Sequence, residues 1–480
     1  MRHILTIWIV LPFVVYGQLN SSFYTYFGSN EDEAGYSVIQ TMNKGYFVLG
    51  ISNGYGALHT DILLSRLDNS GAPIWQKLYG GMNNECGTAL VELGDSSLVF
   101  TGYTNSYGSG GYDGIIYRVD KLGNILWQKT FGGLDWDFAN SLVLSSDNHI
   151  LVCGSTFSFG RGLTDGFILK LDLNGNQVWS KFYGGQQEDE FKKIIQSNDG
   201  GYVLAGTTKS YGDSLGNAWV FKVDASGDSL WQTQYGGAGA DVGNSLVENA
   251  VGDLFLAGGV TPTNSPKTEA FVVKLTSSSA FVFETLMGLP QENEVATDVL
   301  ISGSSYGSIL MTYATREIGG YGDDVKTLLL NASGYYVQGG SFGGQSNDIG
   351  YSMANTEDKG YILCGSTESY NAKAKDVLII KYDSLMAIGP SVVSLDEQKG
   401  TDYGFKVYPT LIESDQFTVL FNQSIGAPQI ELVNLMGQSI SPDRIEIDTG
   451  KLIIVLPQGY YGIFLVKIDK GKKVVRCIKH

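Results

Sequence analysis

Short runs of apolar residues, separated by glycine, asparagine and aspartate, follow one another along most of the chain. Between residues 138 and 185 the runs are FANSLVLSS, ILVCGSTF, DGFILKLD and QVWSKFYGG, separated by DNH, SFGRGLT and LNGN. Runs of about 5–8 β-prone residues divided by such turn residues predict four antiparallel strands. No stretch sustains the 3.6-residue period of an amphipathic helix, so we expect an all-β fold.

This four-strand pattern repeats with a fixed period. A tryptophan in the fourth strand returns every 52 residues, at Trp75, Trp127, Trp179 and Trp231, and the same spacing reaches Phe23 and Phe283. Four strands per unit at such a period are typical of a β-propeller or of an open solenoid. Seven units are predicted, because the glycine after the fourth strand occurs at Gly28, Gly80, Gly132, Gly184, Gly236, Gly288 and Gly343.

The two ends of the repeat region are complementary fragments. The last unit reaches DVLIIKYDS at residues 376–384 without its fourth strand, whereas SSFYTYFG at 21–28 is a fourth strand with no unit before it. If this N-terminal strand completes the last unit, no sheet edge is left open, whereas a solenoid would need polar caps. We therefore predict a closed seven-bladed β-propeller of four-stranded antiparallel blades over residues 18–389.

Acidic residues recur at two fixed positions of the repeat. One opens the first strand and the other opens the third strand, inside which Arg or Lys also recurs. Seven copies favour a structural role, as turn caps and ion pairs, over a catalytic site, which would break the repeat. The alternative is a ring of carboxylates that binds a cation such as calcium. The residues of this candidate metal site are Glu33, Glu85, Asp137, Asp189, Asp241 and Asp348, with Asn293 in the sixth unit.

The loops between the second and third strands differ most from unit to unit. We expect them on the same face as the connections between units, and ligand-binding residues concentrate on such loops above a rigid scaffold. Five of these loops carry an aromatic residue, which would stack on a sugar ring, anchor a protein partner, or pack beneath its own loop. These candidate ligand-binding residues are Tyr55, Tyr107, Phe159, Tyr211 and Tyr370.

Charge and composition narrow the functional classes. The formal net charge is −17, which argues against nucleic-acid binding, because neutralising phosphates requires clustered Lys and Arg. The four histidines and four cysteines show no nucleophilic or metal-ligand spacing. We expect a binding protein without enzymatic activity or a cofactor. A polysaccharide hydrolase or lyase and a purely structural surface component are the alternatives.

The N-terminus has the pattern of a secretory signal peptide. Arg2 precedes an apolar stretch from Ile4 to Val15, and Val15-Tyr16-Gly17 resembles a cleavage site. This predicts a signal peptide over residues 1–17. No later stretch is apolar for the ~20 residues of a membrane-spanning helix, so we expect no transmembrane segment.

After residue 389 the repeat stops. Residues 390–404 indicate a linker, and alternating runs such as QFTVLF and GIFLVKID then predict a small C-terminal β-sandwich over residues 405–480. The segments FKVYP, LVNLMGQSI and LPQGYYGIFLVKI resemble the C-terminal sorting domain of type IX secretion cargo in Bacteroidota. The motif residues are Tyr408, Pro409, Gly437, Gln438, Gly459 and Tyr460.

This resemblance implies a route of export and a partner. Residues 405–480 would engage the type IX secretion machinery and direct a periplasmic intermediate across the outer membrane. The propeller would then be released or attached to the cell surface. We therefore expect a secreted or surface-displayed propeller that binds a glycan or protein ligand on its loop-rich face.

Overall fold

The computed structural model describes most of the repeat region and the strands of the C-terminal region. The described residues are 22–237, 239–263, 267–288, 292–302, 309–316, 322–370, 372–384, 386, 405–408, 411–412, 416–421, 430–434, 439–442, 444–448, 451–456, 462–468 and 473–479. The predicted signal peptide and linker lie outside these residues. The chain divides into two compact units, Met1–Ser394 and Leu395–His480.

Strands of five to eight residues build the first unit, as the alternation of apolar runs and turn residues predicts. In chain order they are β1 (Phe23–Phe27), β2 (Glu33–Gln40), β3 (Tyr46–Ser52), β4 (Asp61–Leu67), β5 (Pro73–Tyr79), β6 (Glu85–Glu92), β7 (Leu98–Thr104), β8 (Asp113–Val119), β9 (Ile125–Phe131), β10 (Asp137–Leu144), β11 (Ile150–Thr156), β12 (Asp165–Leu171), β13 (Gln177–Tyr183), β14 (Asp189–Gln196), β15 (Tyr202–Thr208), β16 (Asn217–Val223), β17 (Ser229–Tyr235), β18 (Val242–Glu248), β19 (Leu254–Val260), β20 (Glu269–Leu275), β21 (Phe281–Met287), β22 (Ala296–Ile301), β23 (Ile309–Arg316), β24 (Asp323–Leu330), β25 (Tyr336–Phe342), β26 (Asp348–Asn355), β27 (Tyr361–Thr367) and β28 (Asp376–Tyr382).

These strands form seven four-stranded antiparallel sheets, which are the blades of a β-propeller. Blades 1 to 6 use consecutive strands, from β2–β5 to β22–β25, and blade 7 has the order β26-β27-β28-β1. The N-terminal strand pairs with β28 in the register Phe23↔Lys381 to Phe27↔Val377. The predicted all-β propeller and its closure by the N-terminal strand are therefore confirmed.

The core consists of apolar layers between neighbouring blades. In blades 1 to 5 and in blade 7 the second and third strands are buried almost throughout. Fourth strands such as β5 and β9 are mostly half-buried or exposed. Between blades 1 and 2, for example, Phe47, Leu64, Phe100 and Tyr117 pack together with at most 1% of each side chain exposed. Each blade thus buries both faces of its sheet against its neighbours, which fits the continuous apolar runs of the central strands.

The basic residues inside the third strands are neutralised at the rim opposite the variable loops. In blades 2, 3, 4, 5 and 7 the basic residue meets an aspartate of the turn between the first and second strands, as buried cations require. In blade 1 the Arg66 guanidinium instead lies 4.6 Å from the ring centre of Phe47. The ion pairs are Arg118–Asp95 at 2.6 Å, Lys170–Asp147 at 2.9 Å, Lys222–Asp199 at 2.8 Å, Lys274–Asp253 at 2.8 Å and Lys381–Asp358 at 2.9 Å.

A β-bulge in the first strand of each blade connects it to the next blade. In blade 3 the register shifts between Ala139 and Ser141, and the side chain of the bulged Asn140 donates a 2.9 Å hydrogen bond to the carbonyl of Phe191 in blade 4. Thr297 likewise donates to the carbonyl of Gly350 at 2.7 Å. These side chains link successive blades around the central axis.

The second unit contains two sheets. Its strands are β29 (Phe405–Tyr408), β30 (Leu411–Ile412), β31 (Gln416–Phe421), β32 (Ile430–Asn434), β33 (Ser439–Ile440), β34 (Arg444–Asp448), β35 (Lys451–Val455), β36 (Gly462–Ile468) and β37 (Lys473–Lys479). One sheet has the order β29-β31-β35-β34 and the other β30-β37-β36-β32-β33. The β-sandwich stays a prediction. Of the sorting-domain motif, Tyr408 ends β29, whereas Pro409, Gly437, Gln438, Gly459 and Tyr460 lie outside the described residues.

Candidate functional site

The two repeated acids meet where one blade joins the next, across the glycine that follows the fourth strand. A Cβ atom on Gly80 would lie 1.9 Å from Oδ1 of Asp61, at the start of the third strand of blade 1, and 2.4 Å from Oε2 of Glu85, at the start of blade 2. Only glycine permits this close approach. Acid pairs flank the equivalent glycines at Gly28, Gly132 and Gly184, and Asn217 with Asp241 flanks Gly236.

The acid of the first strand is held by the turn before it and by the second strand beside it. The carboxylate of Asp137 accepts hydrogen bonds from the Gly133 N–H at 2.8 Å, from the Ser158 hydroxyl at 2.7 Å and from the Thr156 hydroxyl. Its own N–H donates to the carbonyl of Tyr112 in the previous blade at 2.6 Å. These contacts cap a turn and join two blades, which favours the structural interpretation of the ring of acids.

The sixth blade corrects the predicted ring. The acid position is occupied by Glu294 and not by Asn293: Glu294 is fully buried, its N–H donates to the carbonyl of Thr268 at 2.9 Å, and its Oε2 lies 2.8 Å from a Cβ built on Gly288. The connection into this blade is one residue longer than its counterpart in blade 2. Counting five residues from the junction glycine, as from Gly80 to Glu85, therefore reaches Asn293 in blade 6 and misses Glu294.

In two of these acid pairs the pKa of the third-strand aspartate is raised. Burial, together with the charge of Glu85 and a hydrogen bond to its carboxylate, raises the pKa of Asp61 to about 6. Burial, with a smaller contribution from the charge of Asp137, raises the pKa of Asp113 to about 6. Both carboxyl groups are therefore poised to bind a proton in mildly acidic solution.

The candidate metal residues lie one per blade around the ring. Among the described residues, no group of three or more His, Cys, Asp or Glu side chains comes close enough to hold a metal ion. Glu33, for example, already accepts hydrogen bonds from the Ser29 N–H at 2.6 Å and from the hydroxyls of Ser29 and Ser52. Calcium binding at the acids stays a prediction.

The five loop aromatics point back towards the blade junctions. The hydroxyl groups of Tyr107, Tyr211 and Tyr370 donate to the carbonyls of the junction glycines Gly80, Gly184 and Gly343, at 2.8, 3.1 and 2.7 Å. The ring of Phe159 packs against Phe131 and Phe182, and the hydroxyl of Tyr55 accepts a 3.4 Å hydrogen bond from Gln76. These contacts fit rings that close the space beneath their loops, and ligand binding by them stays a prediction.

A different group of aromatic side chains is exposed on the same face. Between blades 2 and 3, five rings form one connected cluster, here called the aromatic patch: Tyr103, Tyr112, Trp136, Phe138 and Phe157. Trp136 and Phe157 leave 54% and 46% of their surfaces exposed. They belong to the connection between blades and to the loop between the second and third strands, which together form the loop-rich face.

The rings of the patch meet at defined angles. Tyr112 lies 5.7 Å from Phe138 with the planes inclined by 33°, and Trp136 stands almost perpendicular to both, at 86° and 83°. Phe157 lies 6.3 Å from Trp136 at 69°. Such edge-to-face contacts are favourable and fix the ring orientations. The partly buried rings thus support an exposed tryptophan whose orientation is set.

The patch breaks the symmetry of the propeller. In blades 1, 2, 4 and 7 the same backbone hydrogen bond joins the residues equivalent to Phe157 and Trp136, at 2.9 to 3.1 Å. In all four of these blades, however, both side chains are polar or charged. The pairs are Asp32 with Asn53, Asn84 with Asn105, Glu188 with Lys209, and Asn347 with Glu368.

The residues of the aromatic patch are not among the predicted ligand-binding residues, because those were chosen as the loop aromatics that five units share. The repeat itself contains the signal: Trp136 stands outside the 52-residue tryptophan series, in a column where Asn84 and Glu188 occupy the neighbouring units. Five of the other six units have a polar residue at this loop position, and an aromatic residue there indicates a candidate for a local function.

Comparisons with known proteins give distant similarities. No family model matches the chain. The regulatory protein FlaEY of Caulobacter vibrioides is 24% identical over 289 residues, and the chain spans 28% of its length and matches it over 52% of its own. The WD40 domain of Neurospora crassa Pan2 superposes with a TM-score of 0.47 and 11% identity, covering 75% of this chain and 91% of that one.

A second solved structure belongs to PorZ, an essential surface component of the type IX secretion system of Porphyromonas gingivalis. It superposes with a TM-score of 0.45 and 12% identity, covering 95% of this chain and 60% of that one. Because both TM-scores are below 0.5, the fold assignment rests on the strand pairing of the chain itself. Among the described residues, no helix is long and apolar enough to cross a membrane.

Proposed function

We propose that this chain is a non-catalytic propeller that binds a glycan or protein ligand outside the cell through its loop-rich face. The observation that carries the proposal is the aromatic patch, which places two half-exposed aromatic side chains where most other blades have polar ones. Exposed aromatic groups on a rigid scaffold supply binding energy at low entropic cost.

The proposed route of export is type IX secretion. It is supported by the sequence of residues 405–480, whose segments resemble the sorting domain of that system, and by the signal-peptide pattern of residues 1–17. Both features would place the propeller at the cell surface or in the medium, where a ligand-binding face is accessible.

The binding face is tested by blocking one side of the propeller at a time. Two cysteine variants are made in a chain that carries Cys477→Ser. Ser109→Cys places a thiol in an exposed loop of the loop-rich face, and Ala225→Cys places one in an exposed turn of the opposite face. Each new thiol is then modified with maleimide-polyethylene glycol. Cys86, Cys153 and Cys364 are buried, so they should resist modification. The full chain is applied to a glycan array and to an array of extracellular proteins.

We expect binding to one class of ligand that is lost after modification at position 109 and kept after modification at position 225. Equal binding by both modified proteins would contradict a site on the loop-rich face, and no binding on either array would favour a purely structural component. Bound polysaccharide is also assayed for new reducing ends and unsaturated products. Their appearance would contradict the non-catalytic proposal and favour the hydrolase or lyase.

A further inference from the structure

We propose that the aromatic patch is a carbohydrate-binding site for an uncharged glycan. The inference deepens the proposed function and rests on it, since it names the ligand class and the residues of the binding face. It depends on four features of the patch: its exposure, the orientation of its rings, the glycine loop beside it and the charges around it.

The exposure of the patch is not required by the fold. Blades 2 and 4 form the same backbone hydrogen bond with Asn84 and Asn105, or with Glu188 and Lys209, in place of the aromatic pair. Because about half of the Trp136 side chain is exposed to water, the fold lacks part of the stabilisation that a fully buried indole would give. A fold that accepts polar residues here does not require exposed rings, so a ligand is the more direct explanation.

The orientation of the rings suits flat ligands. Trp136 stands perpendicular to Tyr112 and Phe138, and Phe157 lies beside it at 69°. The faces of the two exposed rings, Trp136 and Phe157, are therefore inclined to each other and point in different directions. The faces of aromatic rings are electron-rich, and the C–H groups on one side of a pyranose ring are weakly positive, so a sugar stacks on such a face. Two differently oriented rings would contact neighbouring sugar units of one chain.

A glycine-rich loop leaves the patch uncovered. The residues between Tyr107 and Tyr112 are Gly108, Ser109, Gly110 and Gly111. A Cβ atom on Gly111 would lie 2.0 Å from Cδ1 of Trp136, so the indole lies directly against the loop backbone. A larger residue here would displace the indole or cover it.

The charges around the patch favour an uncharged ligand. The five rings carry no charge, and the exposed Asp135 directly precedes Trp136 in the chain. A carboxylated polysaccharide would be repelled by Asp135 and by the net charge of −17.

The test replaces the aromatic pair with the residues that blade 2 has at the same positions. Full chains with Trp136→Asn, Phe157→Asn or both are titrated with linear β-glucan, mannan and xylan oligosaccharides, which are uncharged, and with polygalacturonate and alginate oligosaccharides, which are anionic. Binding is measured by calorimetry and by the change of tryptophan fluorescence. The matched control is Glu188→Asn with Lys209→Asn, the same exchange in blade 4.

We expect at least one uncharged oligosaccharide to bind the natural chain and the control alike, and to bind the double variant at least about tenfold more weakly, as loss of a central aromatic contact implies. Gly111→Ala, which keeps Trp136 but displaces it, should also weaken binding. Unchanged thermal unfolding midpoints would show that the variants remain folded.

Other outcomes overturn the inference in distinguishable ways. Equal binding by the natural chain and the double variant would exclude the patch as the site. Binding of only anionic oligosaccharides would refute the ligand class. If no glycan binds but a protein on the array binds through the loop-rich face, the proposed function survives and the carbohydrate inference is wrong. If neither binds, both fail.

Discussion

The carboxyl pairs between blades determine how single residues respond to pH. The folded-state pKa of Asp61 and of Asp113 is raised to about 6 from an ordinary value of 3.8. For a group whose pKa is raised on folding, the stabilisation is complete below the unfolded pKa and is lost as pH rises through the folded pKa. These two groups therefore destabilise the propeller as pH increases from about 4 to 6.

Other carboxylates act in the opposite direction at lower pH. Hydrogen bonds that the Asp95 carboxylate accepts from Ser97 lower the pKa of Asp95. Burial raises the pKa of Asp147, but the hydrogen bonds that it accepts from Ser145 and Lys170 outweigh this effect and lower its pKa. Their contribution to stability is present above pH 3.8 and is lost as pH falls further. Together, these four carboxylates stabilise the folded chain most at about pH 4 to 5 and less on either side.

We therefore predict that the thermal unfolding midpoint of the full chain rises between pH 7.5 and pH 5. Asp61→Asn should raise the midpoint at pH 7.5, because a neutral amide replaces one charge of the pair, and it should reduce the rise on acidification. The gain is on the order of 1 kcal/mol, since Asp61 is partly exposed and solvent screens its charge. Blade 4 already has Asn217 at this position.

The measurement is differential scanning calorimetry of both proteins at pH 7.5, 6 and 5. The control is Asp120→Asn, at an exposed turn aspartate whose pKa is lowered by hydrogen bonds from Asn124; this variant should keep the rise. A midpoint that falls steadily from pH 7.5 to 5 in the natural chain would contradict protonation at the blade junctions.

At the scale of elements, one short strand closes the ring. β1 supplies the outer strand of blade 7, and Phe23 at its start is 97% buried beside Tyr46 of blade 1. The strand brings apolar contacts to two blades and covers an edge that would otherwise be open. A buried side chain of β1 such as Phe23 should therefore contribute more to the free energy of unfolding than an exposed side chain on another outer strand.

We predict that Phe23→Ala lowers the free energy of unfolding by about 3–5 kcal/mol, the usual cost of deleting a buried phenylalanine ring. The matched control is Phe281→Ala on β21, where the ring is 59% exposed, and it should cost less than about 0.5 kcal/mol. Urea denaturation followed by fluorescence compares the two. Equal effects would mean that β1 contributes no more than an exposed outer-strand position.

The elements themselves were predictable from sequence for a physical reason. The strands β7 and β8, for example, are mainly apolar and are buried at six of their seven positions, because both faces of a blade are buried. The turns between strands are marked by glycine, asparagine or aspartate. Glu294 was missed because a connection can gain a residue while its blade keeps the same hydrogen bonds. Which loop residue occupies a given structural position is decided by its contacts in the folded blade, and these cannot be read from sequence spacing.

At the scale of the whole molecule, export depends on the second unit if the proposed route is correct. We predict that a chain lacking residues 405–480, produced in a bacterium that has type IX secretion, accumulates in the periplasm, because the sorting signal is gone. Cell fractionation and surface labelling measure its location. The full chain with Phe281→Ala serves as the control and should reach the surface or the medium. Equal surface amounts of the truncated chain would contradict the route.

The sequence by itself determined the number of blades, their strand order and the closure by β1, because these follow from local periodicity and from two complementary ends. It also identified the repeated acids and aromatics, but their roles depend on which residues of other blades lie next to them in the folded chain. The carboxyl pairs join positions 24 residues apart, as in Asp61 and Glu85, and the patch unites Tyr103, Trp136 and Phe157 from two blades. Only the tertiary structure brings these residues together, because proximity between blades is set by the packing of whole sheets and not by any local pattern.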